Sequence, residues 1–239
     1  MMADFTIEEL NRYSRQMLLE EIGIEGQLKI KQAKVLMVGA GGLGCPVLQY
    51  LNAIGVGTLG IIDFDKVEIH NLHRQLLYEA ADIGKPKALM AARKLIQSNP
   101  NVRCITFEEL LHKSNAENII SQFDIVVDGS DNFLTRYLVN DICVLLNKPL
   151  VYGSILKFEG QLAVFNYNGS KNLKDIFPEP PNPEDVPSCS VNGVLGIIPG
   201  IIGSLMCDLT LKIILGKNIH VNKLFVFNME EYILKELSY

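Results

Sequence analysis

The chain has 239 residues, 48% of them hydrophobic and 21% charged, and a formal net charge of −5. That length can bury a substantial core in one α/β domain, and the acidic balance excludes a global basic field for nucleic acid or an anionic membrane surface. Cys45, Cys104, Cys143, Cys189 and Cys207 form no C-x-x-C pair and no apolar leader follows Met1, a pattern that predicts a reducing, cytoplasmic setting.

Thr6 and Glu9 have capping-box spacing and open a helix through about Leu19. Lys34 to Gly39 reads as a buried strand that runs into a glycine turn, and Leu43, Val47, Leu51 and Ile54 mark the helix after it. Thr58 to Asp63 is the second strand. Pro86 starts a helix that runs to Ile96. Strands at Val102–Phe107, Asp124–Asp128 and Pro149–Ser154 alternate with helical segments 115–122 and 132–147. This alternation predicts a Rossmann-like, doubly wound α/β fold with a mostly parallel sheet. Gln161–Tyr167 leaves little room for a crossover helix and reads as the start of an antiparallel C-terminal extension. Phe158 to Gln161 reads as a tight bend into it, with Gly160 as its turn glycine. A proline-rich loop over 168–191 follows, then a helix from about Asn192 to Gly216 and strands at 223–228 and 231–237. The apolar run Val194–Met206, broken by Gly196, Pro199, Gly200 and Gly203, is too short and too interrupted for a membrane span.

Gly39, Gly41 and Gly44 satisfy G-x-G-x-x-G between a strand and a helix. Such a turn lets phosphate approach backbone amides at the helix N-terminus. Asp63, at the next strand end, is placed for ribose hydroxyls. These features predict a bound nucleotide without separating NAD from ATP. Asn71 and Arg74 lie just beyond that strand, Lys87 opens the next helix, and Asp131 with Asn132 follows the strand at 124–128. Taken singly, Arg74 and Lys87 read as solvated cations and Asp131 as a helix cap. Taken together, they are what transfer at an α-phosphate needs: cations on developing oxygen charge and a carboxylate for Mg²⁺. Hydride transfer to NAD would leave them idle.

From Arg12 to Leu237 the chain resembles the MoeB/ThiF/HesA group, bacterial relatives of ubiquitin-activating enzymes. The matching strings are Arg12-Tyr-Ser-Arg-Gln16, Gly39–Cys45, Asp63-Phe-Asp65, Asn71–Gln75, Gly84–Lys87, Asp128–Asn132, Glu159-Gly-Gln161 and Pro187-Ser-Cys189. The resemblance implies Mg-ATP-dependent adenylation of the C-terminal glycine of a ubiquitin-like sulfur carrier ending in Gly-Gly, for thiamine or molybdopterin synthesis. It implies one ThiF-type domain over 1–239, divided into N-terminal helices (1–30), a nucleotide-binding half (31–156) and the C-terminal remainder (157–239). Gly42 and Asp63 would hold the adenosine end, Asn71, Arg74 and Lys87 the phosphates, and Asp131 the Mg²⁺. Arg15 would reach the nucleotide of a second subunit, which implies a homodimer.

Many relatives carry zinc on two C-x-x-C pairs. Here the first pair's positions hold Asn172 and Asp175 and the second pair has no counterpart, so no zinc is expected. Cys189 stands where some relatives use a cysteine for a persulfide or acyl link, and it is a candidate for that chemistry. Cys104, Cys143 and Cys207 read as core, and His70 and His73 as solvent or backbone contacts. Neither a nucleic-acid nor a membrane partner is expected. Three other readings are an NAD-dependent oxidoreductase, a relative acting on threonylcarbamoyl-tRNA and a carrier-binding scaffold without catalysis. The first leaves Arg74, Lys87 and Asp131 idle, the acidic balance and the Glu159-Gly-Gln161 and Pro187-Ser-Cys189 strings lean against the second, and the intact cation and carboxylate set argues against the third.

Overall fold

The computed structural model describes residues 5–181 and 193–239. Helices α1 (Ile7–Met17) and α2 (Gly23–Gln32) lead into β1 (Lys34–Val38), α3 (Gly44–Ile54) and β2 (Thr58–Ile62). Next come α4 (Lys87–Ser98), β3 (Arg103–Phe107), α5 (Ala116–Ile120), β4 (Ile125–Asp128), α6 (Phe133–Leu145) and β5 (Leu150–Leu156). The chain closes with β6 (Glu159–Phe165), α7 (Leu173–Ile176), α8 (Ile197–Leu215), β7 (Lys223–Asn228) and β8 (Ile233–Ser238).

One eight-stranded sheet has the order β3-β2-β1-β4-β5-β6-β7-β8. The strands from β3 to β5 are parallel and those from β5 to β8 antiparallel. The fold is therefore the doubly wound α/β architecture read from the sequence, with its antiparallel extension. Strand periodicity divides the core. Val35 and Met37 pack with α3, α4 and α8 on one face, while Leu36 and Val38 pack with α5 and α6 on the other.

The capping box at Thr6 and Glu9 forms as the spacing predicts, with Glu9 N–H donating to Thr6 Oγ1 at 3.1 Å and Thr6 N–H to Glu9 Oε2 at 2.8 Å. The bend after β5 lies earlier than expected. Lys157 turns the chain at φ 53°, and Gly160 already belongs to β6, paired with Ile155. A side chain at Gly160 would overlap Ile202 of α8, so the glycine permits close helix–sheet packing and does not make the turn. Within the expected loop, Asn172 caps α7, accepting from Lys174 N–H at 2.9 Å and donating through its own N–H to Asp175 Oδ2 at 2.8 Å. The α8 helix begins at Ile197, later than the expected start, and ends at Leu215 as expected; unlike the apolar run alone, it is by length and composition able to cross a membrane. Its Ile198, Ile202, Met206 and Leu209 instead join the core beneath β5 and β6. Cys143 and Cys207 are buried as predicted, whereas Cys104 is only half-buried.

Candidate active site

Three strand ends supply the site. β2, β1 and β4 are adjacent and parallel, so Asp63, Gly39 and Gly129 begin side by side at one sheet edge. The order of connection reverses between β1 and β4, and open α/β sheets bind ligands in the crevice at such a point.

The glycine turn is built to leave donors free. Gly39 takes φ +86°, and a side chain at Gly44 would overlap the Gly39 carbonyl. The amides of Gly41, Gly42 and Leu43 donate to no group among the described residues. They remain available at the start of α3, where the helix dipole favours an anion. Asp63, 9% exposed, ties this turn to β2: its Oδ2 accepts from Ala40 N–H at 2.7 Å and its Oδ1 from Asp65 N–H at 2.8 Å. Burial raises the carboxyl pKa, against the opposing charge of Lys87 and those two donors.

Lys87 is not a solvated cation. It is 5% exposed, its Nζ lies 2.8 Å from Asp65 Oδ2, and its N–H donates to the Asp65 carbonyl at 2.9 Å. Tyr78 fastens this helix start to the glycine turn, its hydroxyl lying 2.8 Å from the Ala40 carbonyl and 3.3 Å from that of Lys87. The local sequence pattern gives neither Asp65 nor Tyr78 a role. Asp65 was visible as the second acid of Asp63-Phe-Asp65, but its pairing with Lys87 spans too many residues for local pattern to show.

Arg74 follows a 3₁₀ turn at Ile69–Asn71. Its Nη1 donates to the His70 carbonyl at 3.0 Å and to His73 Nε2 at 2.8 Å. Its Cδ would stand 3.6 Å from a side chain at Gly42, and Pro199 of α8 would stand 3.3 Å away. The Arg74 stem and the start of α8 thus flank the turn. Asn71 is buried and its Oδ1 accepts from Glu68 N–H at 3.2 Å. Gln75, 3% exposed, lies beside Gly41 with its Oε1 unpartnered among the described residues. It is a further lining residue, within the Asn71–Gln75 motif, whose place beside Gly41 no local pattern shows.

Asp131 is exposed and accepts no hydrogen bond from the described residues. The capping role belongs to its neighbour: Asn132 Oδ1 accepts from Thr135 N–H at 2.9 Å. Arg15 lies outside this crevice. Tyr13 and Gln16 anchor α1 at the far end of α3, where Tyr13 fills the space above Gly55 and Gln16 Nε2 donates to the Ile54 carbonyl at 2.9 Å. The eleven-residue length of α3 separates them from the glycine turn by roughly 16 Å at 1.5 Å per residue. Arg12 and Arg15 remain exposed. Cys45 is sealed beneath the turn, where burial pushes its thiol up to about 12. Cys189 lies outside the described residues, as does the expected helix start at Asn192.

Fold and site together define the class: a doubly wound α/β protein with free backbone donors, two cations and carboxylates gathered at its switch point. A family model described as ThiF family matches residues 13–238, and the chain belongs to that family. It is 52% identical over 217 residues to a sulfur carrier protein adenylyltransferase of Thermus thermophilus, covering 89% of this chain and 80% of that protein. It is 48% identical over 225 residues to the adenylyltransferase and sulfurtransferase MOCS3 of Danio rerio, covering 94% of this chain. The chain spans 49% of that MOCS3 protein's length, about half. Among solved structures, that of PaaA matches with a TM-score of 0.83 at 23% identity, covering 98% of this chain and 74% of that one. At that identity the likeness shows the fold alone.

Proposed function

We propose that the chain is an adenylyltransferase that activates the C-terminal glycine of a ubiquitin-like sulfur-carrier protein with ATP. The observation that carries this reading is the pairing of free amides at Gly41, Gly42 and Leu43 with Lys87 and Arg74 around one glycine turn. Redox dinucleotide binding needs the amides but has no use for the cations. In the reaction a carboxylate oxygen of the carrier attacks the α-phosphorus of ATP. The bond from that phosphorus to the bridging oxygen breaks, and pyrophosphate leaves with the electron pair. Arg74 and Lys87 offset the charge added to the phosphate oxygens. Asp63 holds the turn and receives the ribose, and Asn71 and Asn132 complete the nucleotide contacts.

A Mg²⁺ ion bound with the nucleotide would supply Lewis-acid polarisation of the phosphates. The exposed carboxylate of Asp131, without a partner among the described residues, is the hard oxygen ligand suited to it. Arg15, remote from its own crevice, serves the site of a second copy in a homodimer. The whole chain acts as one adenylation domain in the cytoplasm, without zinc, nucleic acid or membrane, in thiamine or molybdopterin synthesis. Cys189 is the candidate for a covalent link to the carrier.

The test is ATP–pyrophosphate exchange with carriers ending in Gly-Gly, beside titrations with ATP and with NAD. The reading requires carrier-dependent exchange that Arg74→Ala abolishes in a folded protein. Tight NAD binding without exchange would refute it.

A further inference from the structure

Asp128, the last residue of β4, is fully buried, and Arg136 in α6 is 6% exposed. The hydrogen bonds these two side chains make among the described residues go to the backbone of one residue. Ser130 N–H donates to Asp128 Oδ1 at 2.9 Å, and Arg136 Nη2 donates to the Ser130 carbonyl at 2.6 Å. These bonds fix both peptide planes that flank Ser130, and the second plane leads directly into Asp131. We propose that Asp128 and Arg136 are positioning residues that hold Asp131 at the nucleotide site, an inference that rests on the metal role proposed above for Asp131.

Three observations support it. First, the Asp131 side chain has no partner among the described residues, so there its place is set by the backbone that carries it. Second, that backbone abuts the glycine turn. Gly129 N–H donates to the Val38 carbonyl at 3.0 Å, and a side chain at Gly39 would stand 3.3 Å from the Gly129 carbonyl. The clamp therefore registers Asp131 against the amides that would receive the phosphates. Third, the pair is poorly arranged for stability alone. Asp128 Oδ2 and Arg136 Nη1 are buried without partners among the described residues. Buried charges of this kind seldom stabilise better than apolar residues of similar volume. The guanidinium plane is itself held by stacking, 4.9 Å from the Tyr152 ring centroid and 6.0 Å from that of Phe133.

The test measures ATP binding by calorimetry as a function of Mg²⁺, with exchange as the parallel readout, for Arg136→Lys, Asp128→Asn, Asp131→Ala and the double variant Arg136→Lys/Asp131→Ala. Lysine keeps the charge but loses the planar fork. Outer-shell changes around a metal ligand cost about 10- to 100-fold in metal affinity. Each clamp variant should therefore need at least tenfold more Mg²⁺ for half-maximal ATP binding, with ATP affinity in the absence of Mg²⁺ unchanged. Arg136→Lys should add nothing once Asp131 is gone. Folded Arg136→Lys and Asp128→Asn with wild-type Mg²⁺ dependence would overturn the proposal, as would an additive double variant. Should Arg136→Lys not fold, Asp128→Asn and its double with Asp131→Ala decide in the same way. Wild-type Mg²⁺ dependence in Asp131→Ala would instead overturn the metal role of Asp131, a separate and distinguishable result.

Discussion

The ammonium of Lys87 is buried and stands 2.8 Å from the half-exposed carboxylate of Asp65. Removing that carboxylate leaves an interior cation without its counter-charge. Breaking a fully buried pair costs about 3–5 kcal/mol, but water screens the open side of Asp65 and reduces this to about 1 kcal/mol. Asp65→Ala should accordingly lower the melting temperature by about 2–4 °C for a chain of this size. ATP should then raise the melting temperature of the variant more than that of the wild type, because a phosphate restores the missing charge. Thermal melts with and without Mg-ATP test this. Equal nucleotide-induced shifts in both proteins would show that Lys87 does not face the phosphates.

Two neighbouring glycines should separate folding from binding. A methyl group at Gly44 would overlap the Gly39 carbonyl, and backbone has nowhere to retreat in so tight a turn. Gly44→Ala should cost about 3 kcal/mol or more, as a steric clash in a packed site does. At Gly42 the same methyl would meet Pro199 at 3.3 Å and the Arg74 stem at 3.6 Å, contacts that small shifts accommodate. Gly42→Ala should fold with nearly wild-type denaturant stability while binding ATP at least tenfold more weakly. Urea unfolding and ATP titration of the two variants decide the point, and matching defects in both would refute the division.

The parallel half of the sheet and the glycine turn were legible because their signals are local. Apolar runs such as Val35–Val38 end in glycine or aspartate, and helical spacing resumes at once after Leu43. What sequence concealed was pairing across distance. Asp65 meets Lys87, Tyr78 joins Ala40 to Lys87, and Arg136 reaches back to Ser130, each across a turn or helix. The misplaced bend at Phe158–Gln161 has the same origin. A glycine needed for packing against Ile202 resembles a turn glycine when the opposing helix is not in view. Asp131 and Asn132 could each have served as the cap, and the described geometry gives that task to Asn132.

His73 is predicted to titrate below its ordinary value of 6.5, because desolvation and then the charges of Arg74 and His70 oppose its protonation. The Arg74 guanidinium can only donate, so His73 Nε2 must be unprotonated to accept it. A depressed folded-state pKa makes the sign unambiguous. The contact is fully present above pH 6.5 and is lost as pH falls through the folded value. Ring-proton chemical shifts followed by NMR should show this depressed titration, and Arg74→Ala should move it upward toward 6.5. A titration unchanged by Arg74→Ala would mean that the guanidinium does not rest on the ring.

Asp131 and Asn132 are adjacent, yet the structure predicts that their losses will be felt differently. Asn132 supplies the side-chain cap of α6, so Asn132→Ala should cost about 1 kcal/mol of stability, and Asn132→Asp should recover most of it by capping equally well. Asp131 is exposed and bonds to nothing among the described residues, so Asp131→Ala should leave stability within about 0.5 kcal/mol of wild type. Its effect should fall on Mg²⁺-dependent exchange, which it should reduce by at least a hundredfold if it holds the ion that stabilises the transferring phosphate. Denaturant unfolding and exchange, run on the same preparations, distinguish the two. A destabilised Asp131→Ala would show that the exposed carboxylate supports the fold, and its loss of exchange would then say nothing about metal.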